Sequence, residues 1–152
     1  MEAAIAAALP SPLSASDLGD LGGRATAAPI VGKVRDTYTL ASDRLALVTT
    51  DRLSAFDRVL ASIPYKGQVL NQTSAWWMGE AVRAGVLPAT ALLAVPDPNV
   101  SLMARCAVFP VEFVVRGFLT GSTDTSLWTH YARGEREYCG NVFPDGLVKN
   151  QR

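Results

Sequence analysis

The chain turns strand-like at Ile30. The runs Ile30–Tyr38 and Arg44–Thr49 flank the turn-forming Ala41-Ser42-Asp43, which predicts an antiparallel pair. The period then changes: between Val69 and Arg83, Leu70, Trp77, Met78, Ala81 and Val82 fall at helical spacing, and Gly85 with Pro88 supplies the stop. Ala91–Val95 and Arg105–Val108 read as further strands around the turn-rich Pro96-Asp97-Pro98-Asn99. Pro110 interrupts the ladder before Val111–Val115 resumes it. Ser122 or Thr123 then caps a helix running to about Tyr131, Asp124 suits its N-terminal dipole, and Gly134 ends it. Ahead of all this, residues 1–28 are rich in Ala, Ser, Gly and Pro, a composition that buries little. They read as a mobile leader. The expected organisation is α+β: the leader, an antiparallel-sheet lobe over 29–110, a hinge at Phe109-Pro110-Val111-Glu112, and the beginning of a second α+β lobe over 111–152.

Composition narrows the function classes. An apolar content of 49% in 152 residues suffices for a core. Fourteen basic and fourteen acidic side chains cancel to zero net charge, and the three lysines are scattered, so no global field draws the chain to nucleic acid or an anionic membrane. Any phosphate binding must be local. Cys106 and Cys139 have no C-x-x-C spacing, which argues against a disulfide framework. No stretch approaches the roughly 20 apolar residues of a membrane span, and the short run Ala3–Leu9 follows an acid rather than a basic region. A soluble, unsecreted, cytoplasmic protein is expected. Plastid targeting is the alternative for a plant chain, favoured by the Ala and Ser of the leader and opposed by its acids and single Arg24.

Three places carry candidate chemistry. In Gly32-Lys33-Val34-Arg35, strand alternation puts Lys33 and Arg35 on one face, either as a cationic cover over an anion or as two solvated side chains on an edge strand. No G-x-x-x-x-G-K-[ST] segment exists, so a P-loop is excluded. After the apolar Leu45–Val48, the polar run Thr50–Asp57 brings Asp51, Arg52, Ser54 and Asp57 together at a strand end. That is where active-site loops gather and also where ordinary turn chemistry occurs. Third, Val114-Val115-Arg116-Gly117-Phe118-Leu119-Thr120-Gly121-Ser122 ends an apolar strand in an arginine and starts a helix almost at once. Arg116 and the N–H groups near Gly121 and Ser122 would then face one anion; a surface arginine beside a plain helix cap is the alternative. Glu112 could accept from a ligand hydroxyl or pair with a nearby cation. Trp76 and Trp77 lie about 100° apart on a helix, so at least one is expected in the core rather than stacked on a base. His130 has no catalytic partner in the sequence, and one histidine with two distant cysteines makes no zinc site.

Taken in order, Gly32–Tyr38, Thr50–Asp57, Ile63–Gly67, Gly67–Trp77, Val114–Ser122 and Tyr138–Asn141 resemble the SAICAR synthetases, the phosphoribosylaminoimidazole-succinocarboxamide synthases of purine biosynthesis, most nearly the plant type. The resemblance runs from about Val31 to Arg152. It implies a kinase-like, ATP-binding N-terminal lobe in which Gly32, Lys33 and Arg35 cover the nucleotide phosphates and Glu112 reaches the ribose. It implies a second site where Arg116 and Ser122 hold the 5′-phosphate of carboxyaminoimidazole ribotide (CAIR), with Gly121 keeping the approach clear. It places Asp51, Arg52, Asp57 and Lys66 at the cleft as candidate catalytic residues and Ser54 beside the substrate. The implied chemistry is phosphorylation of the imidazole carboxylate by ATP, then attack of the L-aspartate amine on the acyl phosphate, with Mg2+ neutralising phosphate charge. The implied partners are these small molecules, with a homo-oligomer left open. The family's acidic metal ligands lie in a part beyond Arg152, so the chain is expected to be a shortened member with little turnover, against the alternatives of a binding module or a poorly folding fragment.

Overall fold

In the computed structural model, which describes residues 2–8, 11–19, 24–111 and 114–152, the chain divides into two compact units, Met1–Ala107 and Val108–Arg152. The first opens with a short helix, α1 (Glu2–Ala8), and is built on a five-stranded antiparallel sheet of order β1 (Ile30–Val31), β2 (Arg35–Leu40), β3 (Arg44–Thr49), β7 (Val100–Ala104), β6 (Leu92–Asp97), and a separate hairpin of β4 (Arg52–Ala55) and β5 (Arg58–Ser62) follows β3. Strands β1 (Ile30–Val31), β2 (Arg35–Leu40) and β3 (Arg44–Thr49) are joined by tight turns. The β2–β3 register runs from Arg35 opposite Thr49 to Leu40 opposite Arg44, so the expected pair and its turn are present. The run Ile30–Tyr38 is not one strand, however. It folds back at Gly32–Val34, where the Gly32 N–H donates to the Arg35 carbonyl at 2.8 Å and a Cβ at position 32 would lie 2.8 Å from that same oxygen. Lys33 therefore sits in the turn instead of sharing a strand face with Arg35.

The run Thr50–Asp57 is likewise more than a loop. It contains β4 (Arg52–Ala55), whose partner β5 (Arg58–Ser62) returns through Phe56 and Asp57. Both turn residues have positive φ, 50° and 63°, matching the right-handed twist of the flanking strands as two-residue hairpin turns require. Helix α2 (Lys66–Arg83) starts three residues before the periodic pattern and ends, as expected, ahead of Gly85 at φ 71°. Its apolar residues are not its buried ones. Gly67 and Asn71 are buried, whereas Leu70, Trp76 and Trp77 stay exposed, the tryptophans at 57% and 62% and packed edge to face on each other. The expectation of a core tryptophan in this pair is thus overturned.

Strands β6 (Leu92–Asp97) and β7 (Val100–Ala104) form the far side of the sheet. The second lies earlier than the pattern suggested: Val100–Ala104 pairs with β3, Val48 opposite Val100 and Arg44 opposite Ala104, while Arg105–Ala107 is irregular and exposed. Pro96 is tolerated because β6 is an edge strand with irregular register around it.

The core lies on one face of the sheet. Tyr38, Ala46 and Val48 are buried there, with Leu40 and Val100 packed against them and, unexpectedly, Leu13 and Leu18 from the N-terminal segment. Where it is described, that segment is packed and hydrogen-bonded onto the lobe. Its Leu13 N–H donates to the Asp51 carboxylate at 2.8 Å, its Ser16 hydroxyl reaches Asp36 at 2.7 Å, and Ala25 bridges to Leu40. The other face meets α2 through polar contacts: Asn71 accepts from Ser101 Oγ at 2.7 Å and donates to the Pro98 carbonyl at 3.0 Å.

In the second unit the short helix α3 (Leu127–Ala132) and the hairpin β8–β9 (Glu137–Tyr138 with Asn141–Val142) are the regular elements among the described residues. The expected strand over Val111–Val115 does not form at residues 114 and 115, which are exposed. A strand exists by pairing, and no described segment pairs with residues 114 and 115. The helix begins at Leu127 with Ser126 as N-cap, four residues past the expected Ser122. Tyr131 fills the unit's interior, its hydroxyl donating to the Pro144 carbonyl at 2.8 Å, with the Arg136 guanidinium 4.0 Å from the ring centroid.

Candidate active-site elements

Around the Gly32–Val34 turn, charged residues separate into buried supports and exposed presenters. Arg52 opens β4 and is 8% exposed. Its guanidinium donates from Nε to the Lys33 carbonyl (3.1 Å), from Nη1 to the Ser14 carbonyl (2.8 Å) and Asp36 Oδ2 (3.5 Å), and from Nη2 to the Gly32 carbonyl (2.9 Å) and Asp36 Oδ1 (2.6 Å). All five N–H donors of the side chain are thus occupied within the protein. Burial pushes the Asp36 carboxyl up, but hydrogen bonds from Arg52 and Ser16 and the Arg52 charge outweigh it and hold the group below its ordinary value.

Asp51 is also spent on the fold. Its buried carboxylate accepts from the Leu13 N–H at 2.8 Å and from the Gly67 N–H at 2.9 Å, so it caps the first turn of α2 from outside the helix. Gly67 is required at that point, since a Cβ would lie 2.2 Å from the Thr49 carbonyl oxygen. Lys66 donates to the Arg52 carbonyl at 3.0 Å.

The presenters are Lys33, Asp57 and Arg35. Lys33 Nζ pairs with Asp57 at 2.5 Å, joining the tips of two hairpins, with side chains 60% and 84% exposed. The Lys33 hydrogen bond and charge lower the Asp57 carboxyl below its usual value. Arg35 is exposed at the start of β2, and Ser54 is half-buried on β4. Glu112 lies outside the described residues.

The second unit holds a cavity of about 670 Å3, with Arg116, Thr123, Ser126, Tyr138 and Asn141 among its polar lining. Of the residues expected to hold a phosphate, Arg116 lines it; Gly121 and Ser122 do not. Gly121 is nonetheless constrained. It sits at φ 118°, where a Cβ would lie 2.3 Å from the Ser126 Cβ and 3.7 Å from Arg116 Nε. Ser122 is exposed and precedes the helix instead of capping it, because Ser126, with its hydroxyl donating to the Thr123 carbonyl at 2.8 Å, closes the local turn first. The two-sided anion site expected at a helix start is therefore reduced to Arg116 and the cavity's hydroxyls and amide.

Among the described residues no group of three or more His, Cys, Asp or Glu side chains could hold a metal ion, so the described donor set by itself does not fit a magnesium site. Nor is any described helix long and apolar enough to cross a membrane.

Asp36 and Ser16 were missed from the sequence. The signal for Asp36 was present: in β2 it shares a face with Tyr38, and an acid on a core-facing strand position calls for a buried partner. Ser16 offered no such signal.

This α+β fold with its antiparallel sheet is found among SAICAR synthases. The SAICAR-synthase from Saccharomyces cerevisiae complexed with SAICAR superposes with a TM-score of 0.72 at 26% identity, over 91% of this chain and 50% of that one. The family model for SAICAR synthetase matches residues 29–152, and the chain belongs to that family. It is 64% identical over 121 residues to the phosphoribosylaminoimidazole-succinocarboxamide synthase of Legionella pneumophila (strain Lens), covering 80% of this chain and 38% of the relative. To the synthase of Vigna aconitifolia, named as chloroplastic, it is again 64% identical over 121 residues, covering 80% of this chain and 34% of that protein. The chain thus spans little more than a third of the length of these relatives.

Proposed function

We propose that this chain supplies the nucleotide-covering hairpin and the ribotide-phosphate cavity of an ATP-dependent ligase that joins L-aspartate to CAIR, giving SAICAR, ADP and phosphate. The 64% identity to named synthases carries this reading. In it, ATP transfers its terminal phosphoryl group to the imidazole carboxylate, the aspartate amine attacks the acyl carbon, and phosphate leaves as the amide forms. Such chemistry is served by positioning and by fixed positive charge, and the residues at hand offer both.

Lys33 and Arg35 take the nucleotide phosphates. Both are exposed, and Lys33 can exchange its solvent-side partner Asp57 for a phosphate oxygen at little cost, since solvent screens an exposed ion pair. Glu112 is assigned to the nucleotide ribose. Arg116 takes the 5′-phosphate of the ribotide as a bidentate donor, with Gly121 keeping the approach clear. Asp57, Lys66 and Ser54 border the reacting groups, whereas Asp51 and Arg52 act by holding backbone in place.

Calorimetric titration of the purified chain with ATP and magnesium tests the hairpin assignment. Saturable binding is expected, weakened about tenfold or more in Lys33→Ala and Arg35→Ala, the loss of one charge-assisted contact. Titration with CAIR should show the same loss in Arg116→Ala and none in Lys33→Ala. Failure of the wild-type chain to bind either ligand would sink the reading, and turnover measured with aspartate in the same samples separates a ligase from a module that binds without reacting.

A further inference from the structure

We infer that the Asp36–Arg52 ion pair, braced by Leu13–Ser16, is the positioning element that fixes the Gly32–Val34 hairpin and hence the place at which Lys33 is presented. The importance of that place rests on the nucleotide reading above; the mechanical claim does not.

The argument starts from the donors of Arg52. Two of its five bonds end on successive carbonyls of the turn, Gly32 and Lys33, one on the carbonyl of Ser14, and two on the carboxylate of Asp36. No donor is left for a substrate while these bonds stand, so the side chain acts through the backbone it holds. The hairpin needs such an anchor. Strand β1 is only two residues long, and beyond its pairing the turn is tied by Gly32 N–H to the Arg35 carbonyl and by Thr50 to the Val34 carbonyl.

Asp36 orients the guanidinium and is itself oriented by Ser16, whose N–H and hydroxyl donate to Oδ2 at 3.2 and 2.7 Å. The pair is buried on both sides, with side-chain exposures of 9% and 3%, so its geometry is not screened away by solvent. Residues 13–16 lie ahead of the stretch that matches the family model. The same β4–β5 element that carries Arg52 at its base carries Asp57 at its tip, against the Lys33 ammonium. One hairpin therefore holds both the main chain and the side chain of Lys33.

The test uses the whole chain and the variants Arg52→Lys, Asp36→Asn and Ser16→Ala, with amide hydrogen exchange and ATP–magnesium titration as paired readouts. Lysine keeps the charge but cannot reach two carbonyls and a carboxylate together. Exchange at Gly32 is expected to rise about tenfold in Arg52→Lys while the Leu45–Val48 amides change less than about twofold, and ATP affinity is expected to fall about in step. Ser16→Ala should give the same local pattern more weakly, and it serves if Asp36→Asn does not fold. Unchanged exchange at Gly32, or an equal rise across the sheet, overturns the inference, because the pair would then be idle or merely part of the fold's general stability. Local loosening in a wild-type background that binds no ATP upholds the mechanical claim and overturns the nucleotide reading instead.

Discussion

At Gly67 one hydrogen atom in place of a methyl decides how closely α2 can approach β3. A Cβ there would meet the Thr49 carbonyl oxygen at 2.2 Å and the Asn99 amide nitrogen at 2.5 Å, and the backbone oxygen cannot swing aside. Gly67→Ala is expected to destabilise the first unit by about 3 kcal/mol, read as a lower urea midpoint, whereas Gly79→Ala, with open space around it on the same helix, should be neutral or slightly stabilising. Asp36 carries the clearest pH dependence. Its folded-state pKa is held below the ordinary value, so its contribution is fully present above about pH 4 and is lost as the pH falls through the folded value. Acid unfolding followed by circular dichroism should therefore show a shallower acid limb in Asp36→Asn, alongside lower stability at neutral pH.

At the scale of elements, what was legible in the sequence was local. The β2–β3 hairpin follows from two adjacent runs and a three-residue turn, and the existence of α2 follows from its period and its Gly85 stop. What depended on distant partners was not legible. Strand β7 is Val100–Ala104 because β3, some fifty residues earlier, offers it a matching edge, whereas Val114 and Val115 find no such partner among the described residues. The start of α3 was misplaced because three hydroxyl residues, Ser122, Thr123 and Ser126, could each have capped it, and the close packing of Gly121 on Ser126 selects the last. The sequence singles out the cations Lys33, Arg35 and Arg116, which are exposed, but not the side chains that support the turn. Support needs three-dimensional neighbours, and Arg52 was read as catalytic from a position that proves to be saturated with internal acceptors. The face of α2 shows the same limit. Its apolar residues point outward, so replacing both Trp76 and Trp77 with Gln should cost about 1 kcal/mol or less in thermal unfolding.

On the scale of the whole molecule, apolar side chains remain exposed in both units. They include Val59, Leu60, Trp76 and Trp77 in the first and Val114 and Val115 in the second, and monomeric proteins seldom expose large apolar patches. The chain in isolation is expected to bind an environment-sensitive apolar dye, and the doubly substituted tryptophan variant to bind less of it. Undiminished dye fluorescence in that variant would place the sticky surface elsewhere. Net charge of zero gives no repulsion to oppose self-association, so light scattering should grow with protein concentration and fall as the pH moves away from neutrality.

The strap formed by Leu13–Leu18 bears on how this protein can be cut. Beginning a recombinant version where the family signature starts, at residue 29, would preserve every recognisable motif yet strip the amide partner from one interior acid and the serine partner from another. The trimmed molecule would keep its ancestry on paper while surrendering the fastening of its Gly32–Val34 turn.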